Sequence, residues 1–365
     1  MFKVIDLFSG VGGMSLGASR AGFNVIGALE LDPIAISSHN INFPNSIHIN
    51  TDISTIKSHE IVEKLKLKSG ELTGIIGGPP CQGFSTMGRQ RVLDPRNSLF
   101  IHFFRIVSEL KPDFFVAENV PGILDVKFDE IRNRAISHVL DSYNLIDPIL
   151  ISANDVGAPT IRKRAFFIGF HKRLGVSLTN SDFIEKIKKP VYVKNALEGL
   201  PFEVENDESA WTKITLNEGT YSRQLSLSVS NSVGDPYSIE KYFVYNEVSG
   251  MIGTKHQQSV VSRFMGISPG EIDKVSRSPR LDMNGFSPTL RAGTGKDNGS
   301  FQAVRPIHPV EHRVITPREA ARIQGFPDWF QFHRTKWHSF RQIGNSVSPI
   351  VAEHVLKKVI DKLVR

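Results

Sequence analysis

Residues 2–17 read FKVIDLFSGVGGMSLG, a short apolar run that leads into a glycine-rich turn and then into a helical pattern. A second apolar run, VIGALE, occupies residues 25–30 and ends in Glu30, 20 residues after Gly10. A strand, a glycine loop, a helix and a second strand that ends in an acid are the layout of a nucleotide-type site. The start of the chain therefore predicts an α/β fold with a Rossmann-like, doubly wound sheet.

The acids of this region indicate which nucleotide-type cofactor fits. Ser15 stands where the dinucleotide fingerprint has its third glycine, which disfavours a nicotinamide cofactor. Asp52 follows a further short apolar run, so that Asp6, Glu30 and Asp52 end three successive predicted strands. Three acids suit an adenosine that carries a cationic sulfonium better than one that carries pyrophosphate. We therefore expect S-adenosylmethionine as the cofactor.

Cys81 is the only cysteine among the 365 residues, and it lies in the stretch GGPPCQGFS at 77–85. A lone cysteine excludes an intramolecular disulfide and a site with several thiolate ligands, so any chemistry here is that of a single thiol. Prolines and glycines are not typical of a packed core. The preceding run at 72–78 reads as a strand, and the turn after it is expected to present Cys81 as an exposed nucleophile.

The stretch DFFVAENVPG at 113–122 predicts another apolar strand, with Glu118 near its end. In an open α/β sheet the carboxyl ends of the strands line the crevice in which ligands bind. Cys81 and Glu118 are therefore expected to face the same pocket, as a nucleophile and an acid.

At this point the chain resembles the DNA (cytosine-5)-methyltransferase family, with motifs in the family's order over nearly the whole length. The motifs are the glycine loop at 6–17, Glu30, Asp52, residues 80–82, 118–120, 162–164, 316–320 continuing to 325–327, and 342–347. About 110 residues between roughly 175 and 285 carry none of them. The family often has a glutamine ahead of its paired arginines where this chain has Thr160, so no role of that amide is carried over.

The resemblance implies transfer of a methyl group from S-adenosylmethionine to carbon 5 of a flipped cytosine in a specific duplex DNA sequence, through a covalent adduct with Cys81. Catalytic roles are implied for Cys81, Glu118, Arg162 and Arg164. Cofactor contacts are implied for Phe8, Gly10, Gly12, Gly13, Leu16, Glu30, Leu31, Asp52, Ile53, Pro80, Leu99, Asn345 and Ser346. Contacts with DNA are implied for Gln82, Ser85, Arg89, Arg91 and Arg96. No metal site is expected.

The pattern along the chain predicts two domains. Strands and helices alternate up to about residue 172, with helices expected at 55–68, 98–110, 129–142 and 347–364. The following stretch is polar and rich in turns. We assign residues 1–185, completed by 340–365, to a catalytic and cofactor-binding domain. Residues 186–339 are assigned to a smaller, irregular, β-containing target-recognition domain and hinge that contacts the major groove.

Composition is compatible with a DNA-binding enzyme. The net charge of +7 and the pI near 9.4 favour a polyanionic partner. Basic residues that could contact phosphate, or could form a solvated charged face, occur between 301 and 341 at Arg305, Arg313, Arg318, Arg322, Arg334, Lys336 and Arg341. The sequence contains neither an apolar run of membrane-spanning length nor a secretory signal. We expect a cytoplasmic, nucleoid-associated bacterial monomer, with a restriction endonuclease as a separately acting partner.

Two other functions stay open. One subgroup of the family modifies transfer RNA with the same chemistry, although the long variable segment between 175 and 285 favours a reader of duplex DNA. A nucleic-acid-binding relative without catalysis is the third hypothesis, which the intact Cys81, Glu118 and Arg164 disfavour.

Overall fold

The structure is a computed structural model. It describes residues 1–80, 94, 97–176, 178–183, 189–208, 210–227, 233–293 and 305–364. The site residues Cys81, Gln82, Ser85, Arg89, Arg91 and Arg96 lie outside the described residues.

Within the described part of the chain, strands and helices alternate up to β5 and helices dominate the second half. The strands are β1 (Lys3–Leu7), β2 (Asn24–Glu30), β3 (Ile47–Asn50), β4 (Gly74–Gly77), β5 (Phe114–Asn119), β6 (Tyr143–Leu145), β7 (Ile149–Ser152), β8 (Lys163–His171), β9 (Trp211–Lys213) and β10 (Glu247–Ser249). The α-helices are α1 (Gly13–Ala21), α2 (Pro33–Asn42), α3 (Ser58–Leu65), α4 (Ser98–Leu110), α5 (Asp129–Ser137), α6 (Val193–Leu197), α7 (Tyr221–Leu227), α8 (Pro236–Phe243), α9 (Gln258–Met265), α10 (Pro317–Gln324), α11 (Lys336–Asn345) and α12 (Pro349–Leu363).

Strands β1 to β8 build one eight-stranded sheet with the strand order β3-β2-β1-β4-β5-β8-β6, and β7 also pairs with β8. Strands β1 to β5 run parallel, whereas β8 is antiparallel to its neighbours β5, β6 and β7. The order reverses between β1 and β4, and the crevice beyond the carboxyl ends of such strands is where ligands bind in this type of sheet. The predicted Rossmann-like α/β class is confirmed.

Apolar side chains cover both faces of the sheet because successive residues of a strand point to opposite sides. Ile5 and Leu7 of β1 belong to the core on the side of α3 and α4, while Val4 belongs to the core on the side of α1 and α12. The two helices of that second layer pack very closely: a Cβ on Gly17 would come within 2.4 Å of the Cβ of Ala352. Only glycine permits this approach, which brings the end of the chain against the first helix.

Residues 186–339 pack around a third core that contains Tyr242, Phe326 and Trp329. This core also includes Val11 and Leu16, so the second half of the chain rests against the glycine loop and α1. Strands β9 and β10 form a separate antiparallel pair in this region. Among the described residues, no helix is long and apolar enough to cross a bilayer.

Three arginines of the basic segment 301–341 are buried and cannot reach DNA phosphates. Arg318 is 1% exposed and Arg322 is 0% exposed. Arg322 pairs with Asp328 at 2.8 Å, and Arg313 pairs with Glu319 at 2.7 Å. Arg318 instead donates to backbone carbonyls, including those of Pro327 and Phe330. All three arginines are therefore structural, and the positive charge of this segment overstates its capacity to bind DNA.

Candidate active site

The floor of the crevice is built by the ends of β1, β4 and β5. Gly77 of β4 lies opposite Leu7 of β1 and Ala117 of β5. A Cβ on Gly77 would come within 2.2 Å of the Leu7 carbonyl oxygen, so this position requires glycine. The close approach aligns the strand ends, and the segment that leaves β4 begins beside the end of β5.

Glu118 is the buried acid of this crevice. It is 7% exposed, and its Oε1 lies 2.6 Å from Nε of Arg164, which stands near the start of β8. Burial raises the pKa of Glu118 above its ordinary value, and the positive charges of Arg164 and Arg162 lower it in part. The carboxyl is thus biased toward its protonated form while a cation stays in contact with it.

The segment that leads to Cys81 lies against this acid. A Cβ on Gly78 would be 3.0 Å from Oε2 of Glu118. The side-chain amide of Asn119 donates a hydrogen bond of 3.3 Å to the carbonyl of Pro79. Pro80 is the last described residue before Cys81. The sequence motif around Glu118 pointed to the acid but gave no sign of this amide contact from Asn119.

Arg162 and Thr160 connect the crevice to the second half of the chain. Arg162 is 3% exposed and donates a 3.1 Å hydrogen bond to the carbonyl of Leu290. Thr160, which replaces the family's glutamine, is fully buried and pairs with Ser287 in a short parallel bridge. The strip at 287–290 therefore packs beside Arg162, a contact between distant parts of the chain that no local motif predicts.

The glycine loop after β1 has the backbone conformation of a ligand cradle. Phe8, Gly10 and Gly12 all have positive φ angles, of 63°, 54° and 104°. Glu30 accepts hydrogen bonds from the backbone N–H groups of Gly10 and Asp32, both at 2.9 Å. Burial raises the pKa of Glu30, and these backbone bonds lower it in part. A carboxylate has about four lone-pair sites, so Glu30 keeps capacity for the hydroxyl groups of a ribose.

The late motif at 342–347 touches the same loop. A Cβ on Gly13 would come within 2.1 Å of Oγ of Ser346 and within 2.2 Å of the carbonyl of Val347. Gln324 at the end of α10 donates a 2.8 Å hydrogen bond to the carbonyl of Ser346, and sequence reasoning missed this support. Asn345 is exposed beside this contact. The beginning and the end of the chain thus meet at the loop.

The other predicted cofactor residues lie in different environments. Oδ1 of Asp52 accepts hydrogen bonds of 2.8 Å from both the backbone N–H and the hydroxyl of Ser54. Leu31 is 62% exposed at the end of β2. The remaining four are Leu16 and Ile53, which are buried in the core, and Pro80 and Leu99, which are partly buried. Glu30 ends β2 and Asp52 follows the neighbouring strand β3, and their carboxylates offer the kind of hydrogen-bond acceptor that the hydroxyl and amino groups of an adenosine need.

Asp6, the third acid of the sequence argument, has a different position from Glu30 and Asp52. It is fully buried and accepts a 2.6 Å hydrogen bond from the hydroxyl of Ser15. Ser15 also lies 3.0 Å from Nε2 of His39. The described residues contain no group of three or more side chains suited to hold a metal ion.

Comparison with known proteins adds independent information to this geometry. The family model for C-5 cytosine-specific DNA methylase matches residues 2–361. The Type II methyltransferase M.XorII of Xanthomonas oryzae pv. oryzae is 37% identical over 98% of this chain and 84% of its own length. The Type II methyltransferase M.DdeI of Desulfomicrobium norvegicum is 33% identical, over 98% of this chain and 88% of its own length.

A solved structure is also similar over its full length. It is described as a DNA modification methyltransferase encoded within a prophage of E. coli, and it is 50% identical with a TM-score of 0.90, covering 100% of both chains. The family model spans almost all residues, and the relatives are similar over most of their length. Both findings give the same family assignment. The chain belongs to the C-5 cytosine-specific DNA methylase family.

Proposed function

We propose that the protein transfers a methyl group from S-adenosylmethionine to carbon 5 of a cytosine in a specific double-stranded DNA sequence, through a covalent adduct with Cys81. The observation that carries this proposal is the buried pair of Glu118 and Arg164 at 2.6 Å, against which the segment leading to Cys81 lies. The cofactor supplies the methyl group on a cationic sulfur. Glu30, Asp52 and the glycine loop would hold it.

Carbon 5 of cytosine is too weak a nucleophile until another nucleophile has added to carbon 6. The Cys81 thiolate would form that bond, and the positive charges of Arg162 and Arg164 favour the thiolate. Glu118 would give its proton to ring nitrogen 3 and neutralise the charge that addition pushes onto the ring. General acid assistance of this kind is worth about a hundredfold or more in rate.

The remaining steps restore the aromatic ring. The electron pair at carbon 5 takes the methyl group, and the proton on nitrogen 3 returns to Glu118. A base, which we assign to a water held by neighbouring polar groups, then removes the carbon 5 proton. The electrons of that bond re-form the ring double bond and expel Cys81 as a thiolate. Thiol and methyl donor approach opposite faces of the ring, so the cytosine must leave the duplex stack at a cost of a few kcal/mol.

We infer that residues 1–185 with 340–365 perform this chemistry and that residues 186–339 select the DNA sequence. Support comes from the docking of the 287–290 strip beside Arg162, which places the second half at the edge of the crevice. Gln82, Ser85, Arg89, Arg91 and Arg96 would contact the DNA around the flipped base. The Type II names of the relatives support a modification enzyme. We propose that it acts as a monomer, apart from a restriction endonuclease. A DNA substrate would bring it to the bacterial nucleoid.

A duplex with 5-fluorocytosine at the target tests the proposal. Fluorine cannot leave as a cation, so addition and methyl transfer proceed but release of Cys81 is blocked. We expect an adduct of protein and DNA that depends on S-adenosylmethionine, with the cross-link mapped by mass spectrometry to the peptide around Cys81. Cys81→Ser should lose turnover by orders of magnitude while it still binds DNA, and Ser69→Ala in an exposed turn serves as the matched control.

Three results would contradict the proposal in different ways. Trapping by Cys81→Ser as efficient as that of the wild type, or a cross-link to another residue, would remove the covalent mechanism. Methylation of transfer RNA but not of duplex DNA in a parallel assay would assign the RNA function. An absence of transfer to both substrates, with binding intact, would indicate a relative without catalysis.

A further inference from the structure

A line of buried hydrogen bonds runs behind the glycine loop, and the proposed reaction does not use it. The Ser15 hydroxyl donates to Oδ2 of Asp6 at 2.6 Å and also lies 3.0 Å from Nε2 of His39. Nδ1 of His39 lies 2.8 Å from Nε2 of His48. Asp6, Ser15 and His39 are 0% exposed, whereas His48 is partly exposed and lines a surface groove between α2 and β3. We call these four side chains the buried polar chain.

The buried polar chain touches the loop directly. A Cβ on Gly12 would come within 3.0 Å of Cδ2 of His39 and within 2.4 Å of Cε2 of Phe43. The ring of His39 therefore lies on the backbone of the loop, with no room for a side chain between them. A change in the orientation of this ring would therefore displace the backbone of Gly12, one of the residues assigned to the cofactor.

The hydrogen bonds can run in either of two directions, which differ by one proton. When Asp6 is ionised it accepts from Ser15, so the Ser15 oxygen accepts from Nε2–H of His39, and Nδ1 of His39 accepts from Nε2–H of His48. When Asp6 is protonated it donates to Ser15, Ser15 donates to Nε2 of His39, and Nδ1–H of His39 donates to Nε2 of His48. His48 then carries its own proton on Nδ1. The additional proton enters or leaves there, at the partly exposed end.

The electrostatic environment makes Asp6 the titrating member. Burial raises the pKa of Asp6 to about 7, which the bond from Ser15 lowers in part and the charge of Glu30 raises further. Burial holds the pKa of His39 well below its ordinary value, and His48 adds to this effect. Burial also lowers the pKa of His48. Both imidazoles therefore stay neutral near pH 7, and the proton count of the chain changes at Asp6.

In the part of the chain that the structure describes, the strand neighbours of Asp6 bring no compensating charge. Asp6 faces Ala28 on β2 and Ile76 on β4 across the sheet. Glu30 is the charged group that acts on Asp6, and its sign is the same as that of an ionised Asp6. At His48, burial lowers the pKa and a hydrogen bond with the backbone of Ser46 raises it in part. A cation that arrives at the loop would bring a positive charge close to these two carboxyls.

We propose that the buried polar chain is a proton relay that positions the glycine loop, and that loading of the cationic cofactor expels one proton from Asp6 through Ser15 and His39 to solvent at His48. The proposal rests on the proposed function, because S-adenosylmethionine supplies the positive charge. Its neutral thioether product, S-adenosylhomocysteine, lacks this charge and should not expel the proton. The four side chains are positioning residues, since none of them contacts the reacting atoms.

The first test uses cofactor-free protein, so its outcome does not depend on the proposed function. Nitrogen-15 NMR of the histidine rings between pH 5.5 and 8.5 reports which ring nitrogen carries the proton. We expect His39 to change from the Nδ1–H to the Nε2–H tautomer as the pH rises through about 7. Asp6→Asn, whose amide donates to Ser15 as a protonated acid does, should hold His39 as Nδ1–H at every pH.

Ser15→Ala provides a second variant of small structural effect, and it should make the His39 tautomer independent of pH. His138→Gln, at an exposed position of the loop after α5, is the matched control and should behave as the wild type. A wild-type His39 that keeps one tautomer over the whole range would overturn the relay.

The second test measures the coupling itself. Calorimetry in two buffers of different ionisation enthalpy gives the number of protons released on binding. At pH 6.5 the wild type should release roughly half to one proton with S-adenosylmethionine and far less with S-adenosylhomocysteine, as follows from a pKa of about 7. Asp6→Asn and Ser15→Ala should lose the difference between the two ligands. Equal proton release for both ligands in the wild type would overturn the coupling, whereas failure to bind either ligand would refute the proposed function and leave the NMR result to decide on the relay.

Discussion

Two glutamates at the same edge of the sheet show how different partners can suit the same side chain to different roles. Glu30 ends β2, and Glu118 is the penultimate residue of β5. Burial raises the pKa of both. Their partners differ: Glu30 accepts from two backbone N–H groups, whereas Glu118 contacts the guanidinium of Arg164.

The difference in partners determines what each acid can do. Backbone N–H groups are neutral and fixed, so they hold Glu30 in one orientation and stabilise its ionised form as an acceptor. Arg164 brings a positive charge beside Glu118 and lowers its pKa, whereas burial of the carboxyl raises that pKa. The protonation of Glu118 therefore depends on two opposing effects. These partners fit the roles that we propose, with the Glu30 end of the crevice binding the cofactor and the Glu118 end exchanging a proton.

The largest expected effect separates these two roles. Glu118→Gln keeps the shape of the side chain but has no acidic proton for ring nitrogen 3, so single-turnover methyl transfer should fall by about a hundredfold or more. The affinity for S-adenosylmethionine, measured by calorimetry, should stay within about twofold of the wild type, because we assign the cofactor contacts to the other end of the crevice.

Glu63→Gln, on the exposed side of α3, is the matched control for this prediction and should change neither quantity. A variant of Glu118 that loses cofactor affinity as strongly as it loses turnover would show that the two ends are not separate.

The positions of both acids could be predicted from the sequence because apolar runs fix the strands, and the residues that end them are easy to identify. The helix expected at 98–110 is also confirmed as α4, since its apolar periodicity is strong. The helices expected at 55–68 and 129–142 are shorter, at Ser58–Leu65 and Asp129–Ser137. Lys66 ends the first with a left-handed backbone of φ 52°, which packing and capping decide and periodicity does not.

The partners of the acids could not be predicted in the same way. The resemblance implied catalytic roles for Arg164 and Glu118 but not the contact between them. The N–H groups that orient Glu30 depend on how the loop folds back. The same holds for Arg322, whose partner Asp328 becomes visible only when the turn between them is folded. The chain from Asp6 to His48 requires β1, α1, α2 and β3 to be in place together. Long-range contacts of this kind leave no local pattern in the sequence.

An intermediate effect is expected at the binding end. Glu30→Ala removes the acceptor of two backbone N–H groups and of the ribose hydroxyls, and an unpaired buried donor costs about 1–3 kcal/mol. Cofactor affinity should therefore fall by roughly 5- to 150-fold, while turnover at saturating cofactor stays near that of the wild type. Asp52→Ala should act in the same direction. Calorimetry and single-turnover rates measure both quantities, and unchanged affinity in both variants would refute the assignment of this end to the cofactor.

The smallest expected effect is a shift in the pH dependence of methyl transfer, at the Glu118 end of the crevice. The chemistry requires protonated Glu118, so the rate of methyl transfer should decline as the pH rises through the pKa of that acid. Arg164 lowers this pKa against the effect of burial. In Arg164→Gln the lowering is lost, and the decline should move to higher pH, on top of a lower maximal rate.

Arg173→Gln is the matched control for the pH displacement. Arg173 lies just beyond the other end of β8 and pairs with Asp113 at 2.7 Å on the surface, away from the crevice. Its loss should leave the pH at which the rate declines unchanged. The measurement is the single-turnover rate at saturating cofactor and DNA between pH 6 and 9. If the decline in Arg164→Gln stays in place or moves to lower pH, the guanidinium does not regulate the proton of Glu118, and the contrast with the neutral partners of Glu30 has no bearing on acid chemistry.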